Sequence, residues 1–168
     1  TYEELDKAIN VIKEVCKMAK AENVVLTNMC MVYDGEKILF LDRLNPNWPG
    51  ITFPGGHIGL KESFVESTIR EVHEETGLKI SNLQICGIKQ WTQKDGSYRY
   101  IVIFYKTNKF EGELKSSDEG KVFWINRSEI GNYVVADGFM EMLKVFENDN
   151  LSENYHWLED GIWKVQNK

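Results

Sequence analysis

Residues 56–78 read GHIGLKESFVESTIREVHEETGL. This segment decides the fold, because its glycines and charged residues keep a spacing that a random acidic helix would rarely reproduce. Five residues separate Gly56 from Glu62, and seven more separate Glu62 from Arg70. The fixed positions that follow are Glu71, Val72, Glu74, Glu75, Gly77 and Leu78. This pattern indicates a loop, a helix and a closing turn that together carry one specific chemistry.

The middle of the segment is predicted to be a helix that begins at Phe64 and ends near Thr76. Ser63 and Glu66 form a capping-box pattern, in which the hydroxyl and the carboxylate each satisfy a backbone donor at the helix start. Gly77 supplies the left-handed residue that commonly follows a helix. An apolar stripe at helical spacing is expected to face the core, and it consists of Val65, Ile69 and Val72.

Three glutamates of this helix are expected to share one exposed face. At about 100° per residue, Glu71, Glu74 and Glu75 fall within an arc of roughly 100°. Like charges at this spacing repel by about 0.2 to 0.5 kcal/mol per pair, and Arg70 offsets only part of that. A divalent cation would remove the conflict, and Mg²⁺ prefers such oxygen ligands. The alternative is a solvated face with weak ion pairs, which the glycines and the arginine at fixed offsets disfavour.

The segment resembles the signature of the Nudix hydrolases and matches it at every defined position. The surrounding chain is similar to the MutT-like, 8-oxo-dGTP diphosphatase-like branch, notably in WPGITFPGGHI at 48–58 and SSDEGKVFWI at 116–125. The resemblance implies a Nudix-type α/β/α sandwich, with a mixed sheet between helices. It also implies hydrolysis of a nucleoside diphosphate joined to a further group, by attack of water on phosphorus with Mg²⁺ or Mn²⁺.

The resemblance also implies roles for individual residues. Glu71, Glu74 and Glu75 would be catalytic metal ligands, with the carbonyl of Gly56 as an additional ligand. Glu119 resembles a downstream glutamate that some relatives use as the general base, and it is a further catalytic and metal-binding candidate. Other relatives use a glutamate of the signature as the base, and Glu119 fits an ordinary turn acid equally well.

Four more residues are candidates for supporting or substrate-binding roles. Arg70 would orient the glutamates through ion pairs, as a catalytic candidate, with Glu62 in support. Arg43 and His57 resemble positions that reach phosphates, and Trp48 lies in a loop where its ring could stack on a purine. The plainer interpretations are surface positions for Arg43 and His57 and a loop plug for Trp48.

Length and composition indicate one domain over residues 1–168. The chain has 42% hydrophobic residues, enough for a substantial core. Its net charge of −6 argues against nonspecific binding to a nucleic acid polymer. No apolar run is long enough to span a membrane. Three cysteines, Cys16, Cys30 and Cys86, form no paired framework, so we expect buried or inert thiols in a reducing cytoplasm.

Hydrophobic periodicity predicts alternating strands and helices around the signature. An amphipathic N-terminal helix lies within residues 1–22, either packed on the domain, which is the favoured interpretation, or at a dimer contact. A second helix contains Phe139, Met142, Leu143 and Phe146. Extended segments are predicted at 24–33, 37–42, 51–53, 80–91, 98–106 and 121–125, with a terminal hairpin at 155–165. Trp91 and Trp124 are expected in the core, and Trp157 and Trp163 either cap the core or close over a base.

The resemblance implies a Mg²⁺-dependent nucleoside triphosphate pyrophosphohydrolase that releases a nucleoside monophosphate and pyrophosphate, and we expect it to be a monomer or a homodimer. An oxidised purine such as 8-oxo-dGTP is the first expected substrate. One alternative is hydrolysis of another nucleoside diphosphate derivative, such as ADP-ribose or a dinucleoside polyphosphate. Another is a non-catalytic nucleotide-binding regulator, which would be expected to lack one or more of the glutamates.

Overall fold

The computed structural model describes residues 1–18 and 21–168, and the side chains of residues 14–20 lie outside that description. In this part of the chain the α-helices are α1 (Tyr2–Met18), α2 (Phe64–Thr76) and α3 (Phe139–Glu147). The strands are β1 (Val24–Asp34), β2 (Lys37–Arg43), β3 (Gly50–Thr52), β4 (Lys79–Ser81), β5 (Gln84–Thr92), β6 (Arg99–Thr107), β7 (Lys109–Glu111), β8 (Gly120–Asn126), β9 (Glu153–Glu159) and β10 (Ile162–Asn167). A 3-10 helix spans Arg127–Asn132.

Eight of the strands form one mixed sheet. Its hydrogen-bonded order is β10-β9-β5-β6-β1-β2-β3, with β8 paired to β2. The pairs β1–β6 and β5–β9 are parallel, and the other pairs are antiparallel. The strands β4 and β7 form a separate antiparallel pair. The predicted mixed sheet is therefore confirmed.

One helix covers each face of the sheet. Because successive strand residues point to opposite faces, Met29 and Met31 of β1 belong to the core beneath α3, whereas Cys30 and Val32 belong to the core beneath α2. The α3 side contains a cluster of aromatic rings in which Phe53 packs edge-on against Phe139 and Phe146, with centroids 4.9 and 5.0 Å apart. This layering confirms the α/β/α sandwich.

The predicted elements are confirmed with small shifts at their ends and one larger error. The segment predicted as one strand at 80–91 is two strands, because Asn82 between them adopts a left-handed φ of 51°. The short strand β7 and the 3-10 helix were not predicted. The turn after β1 comprises Gly35–Glu36 rather than Asp34-Gly35, one residue later than expected.

The N-terminal helix does not pack on the sheet over the residues whose side chains are described. Residues 1–13 are all exposed, including Leu5, Ile9 and Ile12 of the predicted apolar stripe. The favoured interpretation of α1 as a packing element is therefore wrong for these residues. The side chains of Cys16 and Ala19 lie outside the described residues. Across residues 1–18 and 21–168, none of the helices combines the length and the apolar character needed to cross a bilayer.

Candidate active site

The helix α2 begins and ends where its caps predict. The backbone N–H of Glu66 donates to Ser63 Oγ at 3.1 Å, and the N–H of Ser63 donates to the Glu66 carboxylate at 3.3 Å. At the other end, Gly77 has a φ of 76° and donates its N–H to the carbonyl of His73. These caps fix where the helix starts and stops.

The predicted apolar stripe of α2 is only partly correct. Val72 is fully buried and Ile69 is half-buried, but Val65 is 43% exposed. The small hydroxyl residues Ser67 and Thr68 are buried instead. Asn28 Nδ2 of β1 donates to Ser67 Oγ at 3.0 Å, so the helix lies close against that strand.

The expectation of a single exposed acidic face is wrong for Glu75. Its side chain is 4% exposed, whereas that of Glu74 is 57% exposed. Glu75 lies on the same side of the helix as Thr68 and Val72, and this side faces the sheet. Its carboxylate accepts a 2.8 Å hydrogen bond from the N–H of Gly55. A polar contact with the backbone therefore holds an acid in the interior.

Glu75 is strongly perturbed by its surroundings. Burial raises the pKa of Glu75 to about 8, and the charges on Glu71 and Glu119 add to this increase. The N–H of Gly55 and the charge on Arg43 act in the opposite direction. The carboxylates of Glu71, Glu75 and Glu119 therefore interact electrostatically, and we call these three residues the acidic cluster.

Arg70 connects the acidic cluster to the loop before α2. Its Nε and Nη2 donate to the two carboxylate oxygens of Glu62 at 2.7 and 2.8 Å. Its Nη1 donates to Glu71 at 2.8 Å and to Glu74 at 3.0 Å. The bidentate contact with Arg70 lowers the pKa of Glu62 to about 2. A permanently ionised Glu62 thus holds the guanidinium group in place, and the guanidinium group positions Glu71.

The loop that precedes the signature helix runs antiparallel along β1. Asn28 N donates to the carbonyl of Gly56, and Cys30 N donates to the carbonyl of Pro54, both at 2.9 Å. A Cβ atom on Gly56 would overlap the carboxylate of Glu71. Only glycine therefore allows the backbone to approach that carboxylate so closely.

Glu119 lies in an exposed turn that leads into β8. Its N–H donates to Ser117 Oγ at 3.2 Å, and its carbonyl accepts from Leu44 N at 3.1 Å. The second bond ties the turn to the residue that follows Arg43 at the end of β2. Two turns distant in sequence thus meet beside Glu75.

A cavity of about 570 Å³ opens on the α3 side of the sheet. Trp48 Nε1 donates to the carbonyl of Asp137 at 3.0 Å, which fixes the indole ring in the wall. The Arg43 guanidinium lies 5.4 Å from the centre of that ring. Arg43 Nε is buried, and no acceptor among the described residues satisfies it. The cavity is lined by Thr27, Met29, Arg43, Trp48, Gly55, Gly56, His57, Lys89, Trp91, Tyr100, Asp137, His156 and Trp163, among others.

A sequence model of the NUDIX domain matches residues 25–147. The chain belongs to the Nudix family. It is accordingly a hydrolase that acts on phosphoric anhydrides, and the interpretation as a non-catalytic regulator is set aside.

Two relatives illustrate the range of the family around this Nudix hydrolase. An uncharacterized Nudix hydrolase of Bacillus subtilis (strain 168), YvcI, is 31% identical over 113 residues, which cover 65% of this chain and 70% of the relative. An ADP-ribose pyrophosphatase of Methanocaldococcus jannaschii is 33% identical over 86 residues, which cover 51% of each chain. The alignment thus spans about half the length of the archaeal relative.

Solved structures show the same architecture. The MutT protein of Bacillus halodurans superposes with a TM-score of 0.70 at 26% identity, covering 84% of this chain and 97% of that protein. The NUDIX domain of Shewanella oneidensis NrtR, solved with ADP ribose, superposes with a TM-score of 0.59 at 16% identity, covering 76% of this chain and 87% of that protein. The second likeness concerns the fold alone.

Nudix hydrolases use divalent metal ions and bind nucleotides, and the donor set of this chain fits a hard cation. The donors are carboxylate oxygens and a backbone carbonyl, which suit such an ion. Burial is the main cause of the raised pKa of Glu75, and the charges of Glu71 and Glu119 add to it, so a nearby cation would favour the ionised form of this acid. Among the described residues, no three acidic, histidine or cysteine side chains already converge in ligand geometry. A bound cation would therefore require side-chain rotation, which is open to the exposed Glu119 and which in Glu74 would break the 3.0 Å ion pair with Arg70.

The structure brings most of the predicted site residues to one end of the sheet. Glu71 lies against Gly56, Glu71 and Glu119 lie near enough to Glu75 for their charges to act on it, and Glu74 pairs with Arg70. Arg43, His57 and Trp48 all line the adjoining cavity, with His57 exposed at its rim.

Several cavity residues were missed or misplaced by the sequence analysis of this Nudix hydrolase. Trp91 is half-buried and packs against the core beneath α3, as expected, but it also lines the cavity, where it stacks on Tyr100. Trp163 also lines the cavity, whereas Trp124 is half-buried against the other core. Lys89 was not predicted to line a cavity. The signal for it in the sequence is a charged residue on the same strand face as Trp91.

Proposed function

We propose that this Nudix hydrolase is a Mg²⁺-dependent nucleoside triphosphate pyrophosphohydrolase that releases a nucleoside monophosphate and pyrophosphate. An oxidised purine nucleotide such as 8-oxo-dGTP is the first substrate to test. One observation carries the proposal: the acidic cluster lies against Gly55 and Gly56, and these glycines also line an aromatic cavity large enough for a base. A nucleotide can therefore place its phosphates at the acids and its base among the tryptophans.

The acids at this end of the sheet would hold the cation. Glu71, Glu74 and Glu75 are the proposed ligands, together with Glu119 and the carbonyl of Gly56. When bound, Mg²⁺ screens the polyphosphate charge, lowers the pKa of bound water and stabilises the leaving oxygen. Arg70 contributes by holding Glu71 and Glu74 on one side of the helix through contacts of 2.8 and 3.0 Å.

A carboxylate of this end would accept the proton that hydrolysis releases. Water adds to a phosphorus atom of the α–β linkage, the bond from that phosphorus to the bridging oxygen breaks, and one water proton passes to a base. Glu119 is one candidate base, because it is exposed and its charge acts on Glu75. Glu75 is the other, because it is a glutamate of the signature helix whose carboxylate lies beside Gly55 at the same end of the sheet.

The cavity end would bind the rest of the substrate. Arg43 offers a buried donor without a partner in the described protein, which suits a phosphate oxygen. His57 follows the glycines at the rim, within reach of the same phosphates. Trp48 presents a ring on which a base can stack.

The proposed location is the cytoplasm. The thiols of Cys30 and Cys86 are free, and this agrees with a reducing cytoplasm. A monomer or a homodimer is the expected state.

A second substrate class has specific support. The archaeal relative that is 33% identical over 86 residues bears the name ADP-ribose pyrophosphatase. ADP-ribose contains the same diphosphate linkage, so the acidic end would act on it in the same way. The base and the second ribose would then decide between the two substrates.

The proposal is tested with purified protein, Mg²⁺ and a panel of 8-oxo-dGTP, canonical nucleoside triphosphates, ADP-ribose and dinucleoside polyphosphates. Release of pyrophosphate and of orthophosphate is measured separately. We expect pyrophosphate from a triphosphate, with a loss of orders of magnitude in Glu71→Gln and none in Glu159→Gln, which changes an exposed acid at the end of β9. Turnover of ADP-ribose alone would favour the second class, and orthophosphate as the sole product from triphosphates would contradict the proposed cleavage.

A further inference from the structure

The strand β5 presents a lysine to the cavity. Lys89 lies opposite Val102 of β6 and Asn154 of β9. Because alternate residues share a face, Lys89 and Trp91 point to the same side of the sheet. Lysine is rarely placed among core-facing residues unless it has a partner.

The ammonium group of Lys89 lies between two indole rings. Nζ is 5.5 Å from the ring centre of Trp91 and 5.8 Å from that of Trp48. The ring of Trp91 also stacks on Tyr100, with centroids 4.4 Å apart and an angle of 11° between the planes. Both rings therefore have fixed surroundings, and the cation is held at the wall of an aromatic cavity.

No acceptor among the described residues takes a hydrogen bond from Lys89. Burial lowers the pKa of Lys89 to about 8, and the charge of Asp137 acts against that decrease. Burial and the charge of Lys89 lower the pKa of His156 to about 4, so this neighbour is neutral at pH 7. An ammonium group carries three donors and no acceptor, and Lys89 lines the cavity with none of these donors bonded to a described residue.

The start of α3 lies close to Lys89. A methyl group on Gly138, which precedes that helix, would lie 3.7 Å from Lys89 Nζ. The first turn of a helix exposes backbone N–H groups and carries partial positive charge. Lys89 itself therefore suits a ligand atom that accepts hydrogen bonds, and the carboxylate of Asp137 is an acceptor in the same cavity lining.

We propose that Lys89 determines base specificity by donating a hydrogen bond to an exocyclic oxo group of a base bound beside Trp48 and Trp91. This inference rests on the proposed function and deepens it, because it names the substrate as an oxopurine nucleotide. A 6-oxopurine presents acceptors at O6 and N7, which lysine can contact together. Adenine presents an amino donor at the same exocyclic position and would leave that donor facing the ammonium group.

The test measures equilibrium binding of three nucleoside 5′-monophosphates in EDTA. These are inosine monophosphate, with an oxo group at position 6, purine riboside monophosphate, with hydrogen there, and AMP, with an amino group. The proteins are the wild type, Lys89→Met and the control Lys164→Met, which changes an exposed lysine of β10 in the same way. Methionine keeps an aliphatic stem but has no donor, and circular dichroism verifies the fold of each variant.

We expect the wild type to bind inosine monophosphate about 10- to 100-fold more tightly than the purine analogue, the range for one hydrogen bond from a charged donor. Lys89→Met should lose this preference, and Lys164→Met should retain it. Equal affinity of the wild type for all three nucleotides, a preference for AMP, or no measurable binding would overturn the proposal. So would a Lys89→Met variant that binds all three more weakly by one common factor, since Lys89 would then act on the phosphate or the fold.

Failure of the Lys89 proposal can be distinguished from failure of the proposed function, because the binding test in EDTA requires neither metal nor hydrolysis. A preference for inosine monophosphate in a protein that releases no pyrophosphate from any triphosphate would contradict the reaction and leave the role of Lys89 intact. Pyrophosphate release without an oxo preference would contradict the role of Lys89 alone.

Discussion

Replacement of Glu75 by glutamine should stabilise the metal-free protein at neutral pH. Glu75 is 4% exposed and lies close to the charges of Glu71 and Glu119, so ionisation inside the fold is unfavourable. Glutamine has nearly the same shape, and its carbonyl oxygen can still accept the hydrogen bond from Gly55 N–H. The substitution therefore removes the ionisable group without removing the contact.

The expected size follows from the pKa of Glu75, which rises from an ordinary 4.5 to about 8 in the fold. Because the fold favours protonated Glu75, this residue makes its full contribution to stability below pH 4.5. The contribution is lost as the pH increases from 4.5 to about 8. At about 1.36 kcal/mol per pKa unit, the loss is about 3 kcal/mol by pH 7 and on the order of 5 kcal/mol above pH 8. The Glu75→Gln variant should lack this loss.

The assay is urea unfolding in excess EDTA at several pH values between 4.5 and 8.5. The matched control is Glu74→Gln in the same helix. Glu74 is 57% exposed and pairs with Arg70 at 3.0 Å, so its loss should change stability by no more than about 1 kcal/mol. Parallel stability curves for the wild type and Glu75→Gln over this range would refute the argument, because they would show that Glu75 ionises as freely in the folded protein as in the unfolded chain.

Three further substitutions or treatments test the site and its helix. Ser63→Ala removes the side-chain half of the capping box and should lower the free energy of unfolding by about 1 kcal/mol, measured by urea unfolding; an unchanged midpoint would contradict the role of the cap. Gly56→Ala should displace the Glu71 carboxylate and reduce kcat on the order of 100-fold while the protein stays folded by circular dichroism, and full activity would show that this close approach is dispensable. Excess EDTA should abolish hydrolysis and added Mg²⁺ should restore it; activity that persists in EDTA would exclude the proposed metal role.

Local rules predicted the signature helix well, because its ends depend on neighbours in sequence. Ser63, Glu66 and Gly77 act within a few residues, and the observed caps agree with them. The rotation of the helix could not be predicted in this way. It depends on Asn28 of β1, which bonds Ser67 across 39 residues, and this contact turns Glu75 inward.

The cavity was harder to predict because it is assembled by strand register. Lys89, Tyr100 and His156 come from three strands, and their neighbourhood follows from the pairing of β5 with β6 and β9. Each residue alone has an ordinary interpretation on a surface or in a core. The partly wrong expectations for Trp91 and Val65 have the same origin. Periodicity predicts which residues share a face of a helix or strand, but it does not predict which other element packs on that face.

The central claim is that the acids of α2 bind a divalent cation beside the cavity that holds a nucleotide. The most direct test is an anomalous difference map from crystals grown with Mn²⁺ and a non-hydrolysable nucleoside triphosphate. The account predicts a manganese peak in contact with carboxylate oxygens of Glu71 and Glu75, with the phosphates beside it and the base among Trp48 and Trp91. A nucleotide bound with its phosphates far from these acids, or a manganese peak elsewhere with Glu71 and Glu75 unligated, would contradict it.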